Sequence, residues 1–355
     1  DYITTLHPKD YNVSVVLPKS TDQTEALLDK VQQVAQDIGL KKPSYTAYLY
    51  QSAFIMKLAG NDVTVPAQSE LDSDPSILTK SAGTITVINR QDYEKMTGKK
   101  IDLADDETLV YGKNVSLNKD KPLRVNSKDW KIKQILPSNF THGEIPNPND
   151  VAMEQGLYMV VNDSKKVGLN VAHYYYIGVA SETKDSKKFV EQVQLGLRDT
   201  LDQGQAQDGS YAMASDRHSA EKSYQELTGT LLFIGVFLSV IFLLGAVLVI
   251  YYKQISEGYE DRDGFIILQK VGLDEKQTRS TIRKQILTVF FLPLIFAFLH
   301  IAAVFHMLRL IVALLGVTNL PLLIQTTLAT CGVFLLTYIL VFLLTSRSYR
   351  KIVAR

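Results

Sequence analysis

The residues best suited to metal or acid–base chemistry are scattered through the first two thirds of the chain. His142, His173 and His218 show none of the paired spacings by which histidines bind a metal, so we expect satisfied or surface histidines. Residues 102–107 contain three aspartates and a glutamate that could hold calcium. This run lacks the alternating ligands and central glycine of an EF-hand loop, which favours a solvated turn. We therefore predict no metal site.

Familiar catalytic motifs are missing as well. The sequence contains no GxxxxGK[ST], GxSxG or HExxH, which argues against an NTPase, a serine hydrolase or a zinc protease. The single cysteine, Cys331, excludes an internal disulfide framework and a cysteine-ligated zinc site. The chain is therefore expected to be no enzyme, with no catalytic residue and no cofactor of its own.

Two histidines, His300 and His306, lie inside an uncharged apolar stretch. Ionisable residues in such stretches are costly in lipid and often functional. Six residues correspond to a rotation of about 240° around a helix, which places the two histidines on different faces, so they do not share one metal ion. Two interpretations remain open: hydrogen bonds by neutral imidazoles that help helices pack, or a role along a conduit or in substrate binding.

Charge divides the chain into two parts. Up to residue 227 there are 26 Lys and Arg against 31 Asp and Glu, and the remainder has 12 against 6. The chain thus combines an acidic part with a basic, apolar part. Since no strongly basic surface is present, the counterion release that drives nucleic-acid binding has no source, and we expect no nucleic-acid partner.

Three apolar stretches in the second part are each about 20 residues or longer, enough to cross a hydrocarbon layer of about 30 Å. Pro293 in the second is tolerated because neighbouring helices can satisfy the freed carbonyl. The sequence thus predicts an α+β extracellular domain followed by an all-α membrane domain of three transmembrane helices. The expected segments are a domain at 1–214, a connecting helix at 215–230, spans at 231–252, 286–308 and 322–345, a loop at 253–285, a turn at 309–321 and a tail at 346–355.

Lysines and arginines set the expected orientation. The loop at 253–285 carries seven and the tail carries four, whereas the turn at 309–321 carries only Arg309. Because positive residues stay on the cytoplasmic side, the loop and tail are predicted inside and the first domain outside the cell membrane. Such a topology requires an earlier span, so we expect this sequence to be a piece of a longer polypeptide.

The first domain alternates β-rich and helical patterns. Residues 11–17, 84–88 and 174–180 are rich in β-branched or aromatic residues and predict strands. Residues 24–38 repeat apolar side chains at helical spacing, as do residues 187–201. This composition favours a mixed α+β domain of one or two lobes.

The loop at 253–285 contains the most informative segment. Residues 265–268 form an apolar run between charged residues, and Gly272 offers a helix end. An exposed apolar patch in the cytosol meets either a partner protein or the inner face of the bilayer. We expect a docking helix for an ATPase; a helix that rests on lipid is the alternative.

Residues 256–300 resemble the C-terminal part of the FtsX-like permease family, in which a short cytoplasmic helix with an ILxxxG core precedes a span. The combination of YED, ILQKVG, IRKQ and VFFLPL ahead of His300 is similar to the bacitracin-export type of permease of Gram-positive bacteria. The resemblance assigns coupling to the ATPase to Phe265, Ile267, Leu268, Lys270, Val271 and Gly272.

This resemblance implies a ten-span ABC transporter permease with one large external domain between spans seven and eight. Its ATPase is a separate cytoplasmic subunit, which would hold ATP and Mg²⁺. The expected function is resistance to antimicrobial peptides such as bacitracin. Expected partners are that ABC ATPase, membrane lipid, a peptide antibiotic or lipid-linked cell-wall precursor, and a sensor histidine kinase. The alternatives are an FtsX-type regulator of cell-wall hydrolases, a lipoprotein extractor, and a membrane-anchored receptor or adhesin.

Overall fold

The computed structural model describes residues 2–18, 23–53, 55–73, 83–146, 155–184, 186–203, 209–270, 272, 275–314 and 319–353. The chain divides into two compact units, Asp1–Gln225 and Glu226–Arg355. In the first unit the described residues form an eleven-stranded mixed sheet with helices packed on it. The strands are β1 Tyr11–Leu17, β2 Ser44–Ala53, β3 Lys57–Ala59, β4 Asp62–Thr64, β5 Gly83–Asn89, β6 Glu107–Lys113, β7 Leu123–Val125, β8 Lys128–Ile135, β9 Gln155–Val161, β10 His173–Ala180 and β11 Tyr211–Asp216.

The strand order is β11-β1-β10-β2-β5-β9-β6-β8-β7-β4-β3. The pairs β5–β9, β6–β8 and β4–β7 are parallel, and the other pairs are antiparallel. The first strand of the sheet therefore lies between the last two. Tyr11 is paired with Val179 on one side and with Asp216 on the other.

Two amphipathic helices cover one face of β1 and β10. In α2, Thr24–Ile38, the apolar residues Leu27, Val31 and Val34 recur on one face and are buried. Gly39 ends this helix at φ 76°, where its N–H bonds the carbonyls of Ala35 and Gln36. The second helix, Lys187–Gln203, packs against the same core.

Shorter helices complete the first unit: α1 Tyr2–Leu6, α3 Gln68–Ser73, α4 Arg90–Thr97 and a 3₁₀ turn at Ser164–Val167, with Lys187–Gln203 as α5. Because side chains alternate along a strand, Tyr175 and Ile177 face α2 and α5 while Tyr176 faces the opposite side. That opposite side carries an aromatic core in which Tyr93 of α4 contacts Phe140 edge-on.

The second unit consists of long helices. They are α6 Arg217–Lys270, which begins within the first unit, α7 Glu275–Leu314 and α8 Leu320–Val353. Within the described residues, three helical segments are long and apolar enough to cross a membrane: Arg217–Lys253, Phe291–Ala313 and Leu320–Leu343. Phe291 of α7 meets Phe342 of α8 edge-on, next to the buried Leu294 and Val341. The predicted α+β domain followed by three long apolar helices is therefore confirmed.

Candidate functional site

The predicted coupling segment lies at the C-terminal end of α6. This helix runs without a break from Arg217 to Lys270, through stretches that the sequence divides into connecting helix, span and loop. Ile267 lies in its last turns with 61% of its surface exposed, and Lys270 is exposed as well. Phe265 and Leu268 occupy helical positions beside them, but their side chains, like all of Val271, are outside the described residues.

Gly272 follows the end of α6 in a backbone conformation that favours glycine. Its φ is 107°, and open space surrounds the position that a Cβ would take. A side chain there would be strained by the backbone rather than by a clash. The described part of the predicted segment is thus an exposed apolar position at a helix end, followed by a glycine that redirects the chain.

The two histidines of the second apolar stretch, His300 and His306, lie on the exposed surface of α7. Neither His300 nor His306 takes part in the contact between α7 and α8 around Phe291 and Phe342. Nδ1 of His300 is 2.7 Å from the carbonyl oxygen of Phe296, so an imidazole protonated on Nδ1 donates to it and leaves Nε2 as an acceptor. Both rings are exposed in the described part of the structure.

Polar side chains of α8 make their hydrogen bonds within the helix. The hydroxyl groups of Thr327, Thr330 and Thr337 each donate to the carbonyl four residues earlier, at 2.8 to 3.0 Å. A threonine satisfied in this way crosses lipid without a partner helix.

The acidic run at 102–107 binds lysines of its own domain. Asp105 is paired with Lys166 and accepts a hydrogen bond from Asn162 at 2.9 Å. Glu107 is paired with Lys133 at 3.0 Å, and this bond, with the N–H of Ala104, lowers the pKa of the Glu107 carboxyl. Among the described residues, no three His, Cys, Asp or Glu side chains are grouped to hold a metal ion.

His173 is the histidine with the most distinctive surroundings. It lies on β10, where its Nε2 is 2.8 Å from the side-chain nitrogen of Gln51 on the paired strand. Burial lowers the pKa of His173, and the positive charge of Lys165 lowers it further. A neutral imidazole in this position can accept the side-chain N–H of Gln51 through Nε2 and so link two paired strands of the sheet.

The N-terminal end of α6 around Asp216 and Arg217, here called the root of α6, forms a network of hydrogen bonds that the sequence patterns do not indicate. Asp216, buried at the end of β11, accepts the N–H of Ser219 at 2.6 Å and so caps the helix. Arg217 follows and binds the segment before β1: its Nε donates to His7 O at 2.7 Å and its backbone N–H donates to Asp10 O at 2.8 Å. Helix α6 is thereby fixed to residues about 200 positions earlier in the chain.

Asp10 extends this site to the turn between β10 and α5. Its carboxylate accepts the Nζ of Lys184 at 2.9 Å and the N–H of Ser181 at 2.9 Å. Burial alone would raise the pKa of Asp10, but the bonds from Lys184 and Ser181 outweigh it and lower the pKa. The carboxylate is thus held ionised where three segments of the chain meet.

Comparison with known proteins locates the similarity in the C-terminal part of the chain. Residues 236–354 match the model of the family described as FtsX-like permease C-terminal. The ABC transporter permease protein YxdM of Bacillus subtilis is 31% identical over 75 residues, which are 21% of this chain and 12% of YxdM. The bacitracin export permease protein BceB of the same organism is 24% identical over 185 residues, which are 52% of this chain and 26% of BceB.

The matches therefore span about a quarter or less of these relatives' lengths. A solved structure of a Bacillus anthracis protein aligns with 52% of this chain and 92% of its own, at 10% identity and a TM-score of 0.26. That likeness is too low to inform the fold. The resemblance expected from the ILQKVG and VFFLPL motifs is confirmed: residues 236–354 match the FtsX-like permease C-terminal family, and parts of the chain are similar to ABC transporter permeases of Bacillus subtilis.

Proposed function

We propose that this chain is part of the permease subunit of an ATP-driven transporter that protects cells from peptides that attack the cell wall. The similarity to a bacitracin export permease supports this assignment. ATP and Mg²⁺ are bound by a separate cytoplasmic ABC ATPase. The acidic sheet domain lies outside the cell, where it meets a peptide antibiotic or the lipid-linked precursor that the peptide targets. A sensor histidine kinase is a further partner of the same assembly.

The observation that carries this proposal is the unbroken course of α6. Its 54 residues, at about 1.5 Å each, make a helix of about 80 Å. The hydrocarbon layer takes up about 30 Å of that length. The remainder is helical at both ends, from Arg217 on one side to Lys270 on the other. An α-helix transmits rotation and axial displacement along its length, so α6 is suited to link an ATPase to the sheet domain.

The inner end of α6 is the proposed contact with the ATPase. A contiguous exposed apolar patch rimmed by polar residues is typical of a surface that binds a partner. Ile267 is an exposed apolar residue of this segment, and Gly272 follows the end of the helix. In this proposal Phe265, Leu268, Lys270 and Val271 belong to the same contact. A helix that merely rests on lipid is the alternative outcome of the test.

The test introduces a negative charge at the proposed contact. Ile267→Asp, in the gene product that carries this sequence at its natural length, should abolish copurification of the ATPase and resistance to bacitracin. An unpaired carboxylate buried in an apolar contact costs several kcal/mol, more than a transient interface tolerates. Leu268→Asp should have the same effect. Expression and membrane insertion should remain at the level of the unmodified protein.

The matched control is Ser223→Asp, which places the same charge on an exposed position of α6 near its other end. It should retain both the ATPase and resistance. If Ile267→Asp and Leu268→Asp keep the ATPase and resistance, the contact is wrongly assigned and the segment rests on lipid. If the ATPase copurifies but no variant changes bacitracin resistance, control of cell-wall hydrolases or lipoprotein extraction replaces peptide resistance as the function. If no ATPase copurifies with the unmodified protein, the receptor class is favoured.

A further inference from the structure

We propose that residues 7–10 form a joint that couples the first turn of α6 to the loop at 137–146, with Lys9 as the positioning residue that carries the coupling. This inference rests on the proposed function and deepens it, because it names how a movement of α6 reaches the loop on the aromatic face of the sheet. Within this segment of four residues, the carbonyl groups of residues 7, 8 and 10 bind α6, whereas the side chain of Lys9 binds the loop.

Three of the four carbonyl groups in this segment bind one residue of α6. The guanidinium of Arg217 donates to His7 O and to Pro8 O, and its backbone N–H donates to Asp10 O. His7 adds a contact of 3.1 Å between its Nδ1 and the hydroxyl group of Ser215, just before α6. The backbone on both sides of Lys9 is therefore fixed to the root of the helix.

Lys9 turns away from α6 towards the loop. Its Nζ lies 3.0 Å from Oε1 of Glu144, and both side chains are about three quarters buried. An ion pair shielded to this extent is screened less by salt than an exposed one. The second oxygen of Glu144 accepts the hydroxyl group of Tyr48 at 3.2 Å, which attaches the loop to the aromatic face of the sheet.

The path of the Lys9 side chain is defined by a glycine. A Cβ on Gly178 would lie 2.6 Å from Cγ of Lys9 and 2.8 Å from the hydroxyl group of Tyr176. Such distances are too short for any side chain, so a residue larger than glycine at position 178 would displace Lys9. The stem of Lys9 therefore lies along the backbone of β10 and reaches Glu144 in one defined direction.

Asn12 fixes the backbone of Lys9 at the start of β1. Its side-chain oxygen accepts the N–H of Lys9 at 3.0 Å, and its amide nitrogen donates to Lys9 O at 2.8 Å. The N–H and the carbonyl of Lys9 are thus both bound to one side chain. A shift of Arg217 changes the backbone beside Lys9, and the stem held against Gly178 converts that shift into a new position of Glu144.

Hydrogen exchange in the full chain, embedded in lipid nanodiscs, tests the joint without ATP or antibiotic. The reporters are the amides of Thr141 and Glu144, which are protected by bonds to Asn139 Oδ1 and Thr141 O. Arg217→Gln keeps a polar side chain but loses the guanidinium, and should raise exchange at both amides about fivefold. Lys9→Met keeps the stem, loses the charge and should have a similar effect. The double variant should exchange no faster than either single variant.

Lack of additivity shows that Arg217 and Lys9 act on the loop through one network, and rescue by Lys9→Arg shows that the charge of Lys9, and not the packing of its stem alone, carries the effect. Independent structural defects add, whereas two positions on one path do not. Lys9→Arg should restore near-normal exchange. The matched control is Lys42→Met, which breaks the exposed ion pair with Glu182 and should leave both amides unchanged. Fluorescence of Trp130 checks that each variant is folded; should Arg217→Gln unfold, Arg217→Lys takes its place.

Additive effects, or unchanged exchange at Thr141 and Glu144 in either single variant, would overturn the joint. The outcome is independent of the transport assignment. A coupled joint in a protein that gives no peptide resistance would leave this inference standing and reject the proposed function. Resistance that persists in Lys9→Met, together with additive exchange, would reject the joint and leave the proposed function in place.

Discussion

The hydroxyl group of Tyr176 donates a hydrogen bond of 2.7 Å to the side-chain oxygen of Asn12, and both residues are buried. Burial raises the pKa of Tyr176 far above its ordinary value, so the phenol remains a neutral donor. The side chain of Asn12 also accepts the backbone N–H of Lys9 and donates to its carbonyl oxygen. One buried amide therefore connects the middle of β10 to the segment that binds α6.

Removing either partner of this bond should destabilise the sheet domain by different amounts. Tyr176→Phe should cost about 1 kcal/mol, because Asn12 retains its bonds to Lys9. Asn12→Leu should cost about 2 to 3 kcal/mol, because the phenol and the backbone of Lys9 lose their partner together. Denaturant unfolding followed by the fluorescence of Trp130, the only tryptophan of the chain and fully buried in this domain, measures both. Tyr211→Phe, on the exposed edge, should change nothing; equal losses in the two buried variants would contradict the argument.

The stability of the sheet domain should fall on mild acidification. Burial and the neighbouring Arg217 lower the pKa of His7, with smaller opposing effects from Asp216 and Glu221. The unfolded chain therefore binds this proton more readily than the folded one, and stability present above a pH of about 6.5 is lost as pH falls through the folded pKa. The midpoint of unfolding by Trp130 fluorescence should be lower at about pH 5.5 than at about pH 7.5.

His7→Gln should remove part of that difference. The pKa of His173 is also lowered, by burial and by Lys165, so His7→Gln with His173→Gln should remove more than either change alone. An unaltered pH dependence in the double variant would show that other groups are responsible.

Gln194 of α5 should keep the free edge of β11 from pairing with other chains. Its amide nitrogen donates to Ala212 O at 3.1 Å, and its amide oxygen accepts the N–H of Ala214 at 3.0 Å. These are the bonds that a neighbouring strand would make, and an unpaired edge promotes association. Gln194→Ala should therefore increase self-association in sedimentation experiments. Gln192→Ala, an exposed position on the same helix, is the control, and equal association of both variants would reject the assignment.

Cysteine labelling should establish the topology expected from the distribution of positive charge. The native Cys331 is first replaced by alanine. Lys165→Cys and Lys270→Cys then place thiols at exposed positions of the sheet domain and at the end of α6. An impermeant maleimide should label the first in intact cells and the second only after permeabilisation. Labelling of both in intact cells would overturn the orientation.

Local patterns were enough to predict much of the fold. The helical spacing of Leu27, Val31 and Val34 indicates α2, and the runs at 84–88 and 174–180 fall within β5 and β10. The strands β3, β4 and β7 have three residues each, too short for any periodicity to stand out. The last strand, β11, consists mainly of small residues and precedes a charged helix, so no strand pattern stands out. Its position next to β1 depends on pairing with residues about 200 positions earlier, which local patterns do not show.

The same distinction applies to the site. The coupling segment could be proposed from the sequence because its residues are consecutive, from Phe265 to Gly272, and this assignment stays a prediction. The root of α6 depends on Arg217 meeting carbonyl groups near the start of the chain, and a carbonyl carries no sequence signal. The continuation of α6 into the predicted loop at 253–285 was not predicted. Gly258 and Gly264 lie in this part of the helix, and each costs about 1 kcal/mol relative to alanine.

The position of β1 between β10 and β11 has a consequence for biosynthesis. Its second neighbour is complete only when the ribosome has moved about 200 residues past Tyr11 and reached Asp216. At about 5 to 20 residues per second, the strand waits roughly 10 to 40 s for both partners. Translation of the long apolar helix begins at the next residue, Arg217. The sheet domain therefore cannot be complete before translation of the long helix begins, and until then the edge of β1 that pairs with β11 is open to chaperones.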